Sequence, residues 1–271
     1  MKKIFAGFIL PLLILSFTAL SSCKDKGTKQ LKQVEEKEVD TLKSQIGTHI
    51  YPLPTSAEVI KMLSDLEVGF QFGITNPVEN SKKYFTQAKK ALNLGAYGAD
   101  LSYSTLYNQQ QKVFDYLEVI RMITSDLNMT KIYNEDLYNK IKENADNKDK
   151  LVEILTNAFN DTYIYLSDND QQNLALLVVG GAWVEGMYLT CHVSEAAYQA
   201  PAFSKVLLEQ KTSFELYLDL TKPYLEDLSV KEFVEKLEPI KKVYSKLGTS
   251  LTMENINDIT VAINTIREKI I

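Results

Sequence analysis

The 271-residue sequence predicts an all-α fold of about eight to ten helices, arranged as an irregular bundle or as a stacked array of helical hairpins. Apolar residues recur at spacings of three and four along most of the chain, which is the period of an amphipathic helix. No long stretch alternates apolar and polar residues with the period of two that a half-buried strand requires. Short clusters rich in Asn, Asp, Ser and Pro separate the periodic stretches and indicate turns.

The first residues have the layout of a secretory signal. Lys2 and Lys3 precede an apolar run that ends near Leu20, and such a segment is set aside when the fold is considered. A spanning helix is the alternative, since about 17 apolar residues is near the lower limit for crossing a bilayer. The small residues Ser21 and Ser22 just ahead of Cys23 favour cleavage.

The sequence Leu20-Ser21-Ser22-Cys23 resembles the lipobox of bacterial lipoproteins. The resemblance implies a diacylglycerol on the Cys23 sulfur, cleavage before this residue, and acylation of the new amino terminus by a fatty acid such as palmitate. Because one acyl chain holds a protein only reversibly, two or three chains would make the attachment stable. The alternative is an ordinary signal in which the cysteine is incidental.

The sequence divides into a signal peptide (residues 1–22), a lipidated cysteine with a polar tether (residues 23–48) and a single helical domain (residues 49–271). Removal of the signal leaves 249 residues and changes the formal net charge from −5 to −7, because the signal carries two lysines and no acidic residue. This acidic balance argues against nucleic acid and against a polybasic contact with anionic lipid. If Cys23 is acylated, Cys191 has no disulfide partner within the chain.

Apolar stripes indicate the helices of the domain. Thr55 to Glu58 fits a capping box ahead of the first stripe, and Pro239 is expected to break the fifth. The stripes are, in order, Val59, Leu63, Leu66 and Phe70; Val113, Leu117, Ile120, Ile123 and Leu127; Leu151, Ile154, Leu155, Ala158, Phe159, Thr162 and Leu166; Phe203, Val206, Leu207, Gln210, Phe214 and Tyr217; Val230, Phe233, Val234 and Leu237; and Ile256, Ile259, Ile263, Ile266 and Ile270.

Two central stretches, residues 92–107 and 174–193, are rich in small and aromatic residues. The tripeptide at Gly95 matches the one at Gly181 with an offset of 86, which suggests a faint internal duplication. Because glycine weakens a helix, a packing role is expected, in which small residues let helices cross closely at Gly95, Ala99, Gly181 and Gly186. The alternative is a ligand-binding cavity lined by Tyr97, Tyr103, Tyr107, Trp183 and Tyr188.

Asp100 and Glu185 are the candidate catalytic residues, because each lies within one of these two stretches, where an unpaired charge is costly to bury. If both face one cavity, they can form an acid–base pair with a raised pKa on one carboxyl group. Otherwise each accepts hydrogen bonds from a tyrosine or a helix N-terminus, or points outward. We expect no metal site and no cofactor, since the sequence lacks a His-x-x-x-His pair, a Cys-x-x-Cys pair and a phosphate-binding glycine loop.

Residues 91–103 (ALNLGAYGADLSY) resemble a signature of uncharacterised helical lipoproteins from Bacteroidetes bacteria. The resemblance implies a location and a fold but no reaction. In that group, acidic residues just after the lipid-bearing cysteine accompany surface display, and Lys24-Asp25-Lys26 supplies only one acid. An outer-membrane anchor facing the periplasm is therefore expected, with the cell surface as the alternative.

The expected function is a non-enzymatic, lipid-anchored helical domain that binds a protein partner or a ligand in the cell envelope. The alternative is a hydrolase or lyase that uses Asp100 and Glu185 in a tyrosine-lined cleft. An open cleft with the carboxyl groups about 5–10 Å apart favours the enzyme. Packed carboxyl groups favour the binding domain.

Overall fold

The computed structural model describes residues 69–192, residue 198 and residues 201–271. Within these residues the chain forms nine α-helices and two short 3-10 helices and contains no strand, which confirms the all-α prediction. The predicted signal peptide, Cys23, the tether, the capping box at Thr55 and most of the first stripe lie outside the described residues.

The helices follow one another with short connections. Their bounds are α1 Gln87–Leu106, α2 Gln110–Asp126, α3 Glu135–Glu143, α4 Lys148–Asp168, α5 Gln172–Cys191, α6 Pro201–Thr221, α7 Leu228–Lys236, α8 Glu238–Tyr244 and α9 Met253–Arg267, with 3-10 helices at Val78–Lys83 and Lys222–Tyr224.

The apolar stripes face the core. Every residue of the predicted stripes on α2, α4 and α6 is buried, and so are the five isoleucines between Ile256 and Ile270. Pro239 is the second residue of α8 and lies two residues after Leu237, the C-cap at which α7 ends. The break occurs where the missing amide hydrogen of proline costs least, at the start of a helix.

Helices α1 and α5 form the centre of the domain and cross in close contact. A Cβ atom on Gly95 would lie 2.0 Å from the carbonyl oxygen of Val178, and one on Gly181 would lie 1.9 Å from that of Leu92. Leu92 meets Gly181, and further along both helices Tyr103 lies in one cluster with Leu189, so α1 and α5 run parallel. Gly95 thus faces the carbonyl of Val178, three residues before Gly181. In the same way, Gly181 faces the carbonyl of Leu92, three residues before Gly95, so the crossing is nearly symmetric.

The close-crossing interpretation does not extend to Gly186. A Cβ atom there would have no neighbour within 4 Å, so the glycine is not required by packing. Ala99 is buried, in a small cluster with Tyr103 and Leu189 rather than at the crossing itself. The two similar tripeptides, which begin at Gly95 and Gly181, therefore contain the two glycines of the helix crossing.

Helix α5 is the innermost element. By length and composition it could cross a membrane, with a mean hydropathy of 1.6. However, 89% of its most apolar 18-residue stretch is buried inside the protein. Helices α4, α7 and α9 pack against it, and α2 and α4 pack against α1. Residues 174–184 are thus part of a buried core helix, as their short apolar run indicates.

A non-helical segment, residues 69–77, precedes the first 3-10 helix and lies over the central helices; we call it the strap. It turns at Gly73, whose φ of +82° is in the left-handed region that glycine adopts freely. Phe70 belongs to the strap and not to a helix, contrary to its place in the first predicted stripe. Its ring stacks on Tyr103 at a centroid distance of 5.2 Å.

Candidate functional site

Asp100 and Glu185 lie side by side in the core, one helical turn beyond the glycine crossing. Asp100 is five residues after Gly95 and Glu185 is four residues after Gly181. Because α1 and α5 run parallel there, these positions face each other. Both side chains have no exposed surface, and the two carboxyl groups lie close enough for each to shift the pKa of the other.

Arg267, the last residue of α9, neutralises this pair of carboxyl groups. Its Nε lies 2.7 Å from Oε2 of Glu185 and its Nη2 lies 2.8 Å from Oε1, so the ion pair is bidentate. The same Nη2 donates to the carbonyl of Ile74 in the strap at 3.2 Å. The guanidinium lies 3.8 Å from the centre of the Tyr188 ring, in a cation–π contact. The planar fork of arginine suits these contacts better than a lysine ammonium would.

The directions of the pKa shifts favour Asp100 as the residue that carries the proton of the pair. Burial raises its pKa well above the usual range, and the negative charge of Glu185 raises it further, whereas Arg267 and the amide of Asn76 oppose the rise. Burial also raises the pKa of Glu185, but the hydrogen bonds and charge of Arg267 oppose this effect. Asp100 Oδ2 accepts from the Asn76 amide at 3.1 Å, and Oδ1 has no other donor, so a proton on Oδ1 completes the pairing with Glu185.

The resulting cluster is electrically neutral. One protonated carboxyl, one carboxylate and one guanidinium share a site that has almost no contact with solvent, since only 15% of the Arg267 side chain is exposed. A buried charge without a partner costs several kcal/mol, on the order of 3–5 when one member of an ion pair is removed. The single proton is therefore what allows two acidic residues to be buried beside one arginine.

Tyrosine hydroxyls and the strap backbone close the site. Tyr97 donates to the carbonyl of Pro77 at 2.9 Å, and Tyr116 donates to that of Asn76 at 3.3 Å. The side-chain amide of Asn76 donates to the Tyr84 hydroxyl at 3.2 Å. Burial raises the pKa of all three tyrosines, so they remain neutral donors and acceptors.

The five aromatic residues considered as a cavity lining make contacts in separate places. Tyr97 is fully buried between Tyr84 and Tyr116, whereas Tyr103 and Tyr107 pack against Phe70. Trp183 stacks on Phe214 and donates to Gln210, and Tyr188 stacks on Arg267 and His192. These contacts distribute the five rings over four groups, each packed against its own neighbours, and the buried hydroxyl of Tyr107 has no hydrogen-bond partner.

Cys191 and His192 end α5 beside this region. Cys191 is a buried free cysteine, and burial raises the pKa of its thiol to about 12. A thiol in that state is protonated and unreactive at neutral pH. Burial lowers the pKa of His192, whose ring stacks on Tyr188.

The arrangement favours a structural use of the two carboxyl groups. A hydrolase or lyase needs its acid and base within reach of a substrate in a cleft. Here the carboxyl groups meet directly, Glu185 is held by Arg267, and neither acid has exposed surface. The sequence indicated the two acids but not Arg267 or Asn76. One signal was available, since Arg267 is one of only two arginines in a chain with 30 basic residues.

A surface groove of about 530 Å³ lies between α2 and the start of α3. Another groove, beside α6, has a volume of about 480 Å³. The first groove combines charged, amide and aromatic side chains with the partly exposed Met122. Such a mixture of apolar and polar groups is typical of surfaces that contact other molecules.

Comparisons with known proteins give no family. No protein-family model, no curated protein and no solved structure matches the chain. The function therefore has to be inferred from the sequence and the site themselves.

Proposed function

We propose that the chain is a lipid-anchored cell-envelope protein whose helical domain binds a protein partner or a ligand and is not an enzyme. The observation that carries the non-enzymatic part is the complete burial of Asp100 and Glu185, the two candidate catalytic acids. Their neutral pairing with Arg267 is a stabilising arrangement that leaves no acid free to transfer a proton to a substrate.

The anchor rests on Cys23 and on its position at the end of an apolar signal. Helix α5, though apolar enough to cross a membrane, is buried among the other helices. Attachment through acyl chains on Cys23 is compatible with such a compact helical domain, because the lipid alone enters the bilayer. The polar residues 24–48 would then separate the domain from the membrane, and the single acid after Cys23 favours the periplasmic face of the outer membrane.

Binding through the surface is supported by the groove between α2 and α3. Tyr138 contributes a hydroxyl that is buried and has no hydrogen-bond partner. Met122 contributes a flexible apolar side chain that is 43% exposed. Side chains of these two kinds are frequent in the contact surfaces of partner-binding proteins.

Substitution of Cys23 tests this function, with Cys191 as the matched control because it is the only other cysteine. The measurement is membrane fractionation after chemical cross-linking in intact cells. Wild type and Cys191→Ser should partition with the membranes and give the same cross-linked complex. Cys23→Ser should lose the lipid, lose the complex, and shift from the detergent phase to the aqueous phase.

This experiment tests the lipid anchor and the binding role separately. If Cys23→Ser stays as firmly membrane-bound as Cys191→Ser, or if mass spectrometry finds an unmodified mature terminus, the anchor is contradicted. If wild type gives no discrete cross-linked complex, the binding role is contradicted even when the anchor is confirmed.

A further inference from the structure

The strap is held in place by side chains of the helices and not by regular secondary structure of its own. Arg267 donates to the Ile74 carbonyl, Asp100 accepts from the Asn76 amide, and Tyr103 accepts from the Gln71 amide at 3.0 Å. Tyr97 and Tyr116 also donate to the strap carbonyls of Pro77 and Asn76, so two of these five contacts come from the buried ionic cluster. The packing of the strap is thus coupled directly to the charge state of the core.

We propose that the strap is a proton-dependent latch, which stays closed while Asp100 and Glu185 share a proton and opens when that proton is lost. Helices enclose the cluster through packed side chains, and α1 and α5 are locked together at Gly95 and Gly181. Among the described residues the strap is the non-helical part of the enclosure, so its opening is the least disruptive way to admit water.

The charged and titratable groups around the shared proton determine whether its loss opens the strap or holds it closed. Glu185 faces Asp100 from α5, and Arg267 faces both from α9, so the cluster contains one positive charge. The described strap contributes the backbone of Ile74 and Asn76 rather than a charge. The other titratable neighbours in the described part of the chain are Tyr84, Tyr97 and Tyr116, whose pKa is raised by burial. The Tyr188 ring lies against Arg267, and His192, whose pKa is lowered by burial, stacks on that ring.

Loss of the proton changes the balance of these contacts. Two carboxylates would then compete for one guanidinium, and the cluster would carry a net negative charge in a place without water. The Asn76 amide would bind an ionised Asp100 more strongly, which opposes opening. One charge-assisted hydrogen bond does not offset the desolvation of a whole carboxylate, so hydration of the cluster is favoured.

The strap has features that make opening feasible. Its turn is made by Gly73, where the backbone already adopts a conformation open mainly to glycine, and Phe72 beside it is 79% exposed. Opening at this turn therefore leaves the environment of Phe72 unchanged, whereas Phe70 and Ile74 must separate from Tyr103 and its neighbours. On the far side, the 3-10 helix Val78–Lys83 leads into α1 and gives the strap a fixed base.

Hydrogen exchange of the full chain tests the latch. The readouts are the protection factors of the Gln71 and Asn76 amides, corrected for the intrinsic pH dependence of exchange, with amides inside α4 as an internal reference. For one linked proton the opening equilibrium changes by up to about tenfold per pH unit. We therefore expect protection of both amides to fall about tenfold or more between pH 5 and pH 9, while α4 amides stay protected.

Asp100→Asn is the decisive variant, because its amide can donate to Glu185 and accept from Asn76 without losing a proton. Its strap protection should remain pH-independent over the same range. Tyr103→Phe should weaken Gln71 protection at every pH but keep the pH dependence at Asn76. A wild-type strap whose protection does not vary with pH overturns the latch, and so does an equal loss of protection in Asp100→Asn. Neither outcome depends on the Cys23 anchor.

Discussion

Replacing Arg267 with methionine is expected to lower the free energy of unfolding by about 3–5 kcal/mol, the usual cost of removing one member of a buried ion pair. Methionine retains much of the length of the side chain, so the loss isolates the guanidinium. Glu185 would be left buried without its two hydrogen bonds and beside a second carboxyl group. Denaturant unfolding at neutral pH, with a constant m-value, measures this change.

Arg121→Met is the matched control, because Arg121 is the other arginine of the chain and also pairs with a glutamate. That pair is exposed, with 52% and 69% of the two side chains accessible, so its loss should cost no more than about 1 kcal/mol. The double variant Arg267→Met with Glu185→Met should recover much of the stability, because no unpaired charge remains. Equal losses for Arg267→Met and Arg121→Met would show that the buried pair is not a structural element.

Gly95→Ala is expected to destabilise the domain by about 3 kcal/mol or more, at or above the upper end of the usual range for over-packing. The added Cβ atom would lie 2.0 Å from the carbonyl oxygen of Val178 and 2.6 Å from the amide nitrogen of Ala182. Both are backbone atoms, which cannot move aside as a side chain can, so the two central helices would have to separate. Thermal or denaturant unfolding measures the loss.

Gly186→Ala provides the control on the same helix. A Cβ atom there meets nothing within 4 Å, and alanine is the better helix former by about 1 kcal/mol, so this variant should be slightly stabilised. Gly181→Ala should behave like Gly95→Ala, because its Cβ atom would lie 1.9 Å from the carbonyl oxygen of Leu92. Similar stabilities for Gly95→Ala and Gly186→Ala would contradict the close crossing.

The sequence predicted the helices well because four of the apolar stripes are buried along one face, those on α2, α4, α6 and α9. The period of these stripes is a local property, so α2, α4, α6 and α9 could be placed without a structure. The small residues at Gly95 and Gly181 likewise indicated a close crossing, since glycine in a helix is costly unless packing requires it. The same reasoning was wrong for Gly186, which has open space around its Cα atom.

The site was harder to predict because its partners are distant in sequence. Glu185 and Arg267 are 82 residues apart, and no local pattern relates them. Arg267 follows directly after the buried Ile266, where the helical period alone does not decide whether it faces inward. Asn76 lies in a segment without periodicity, so its backbone contact with Asp100 left no trace in the sequence.

The central claim is that Asp100 is buried with a proton and acts as a structural partner of Glu185. Its most direct test is the free energy of unfolding of wild type and Asp100→Asn, measured side by side from pH 4 to pH 9. A carboxyl group with a raised pKa in the fold gives stability that is fully present below its unfolded pKa, about 4, and is lost as the pH rises through its folded pKa.

Relative to Asp100→Asn, wild type should therefore lose stability as the pH rises above about 4, by up to about 1.4 kcal/mol per pH unit, until Asp100 has ionised. Asp100→Asn should fold, and at the upper end of the range it should be the more stable protein. If the difference between the two proteins instead grows in favour of wild type as the pH rises, Asp100 is ionised in the fold and the neutral cluster is contradicted.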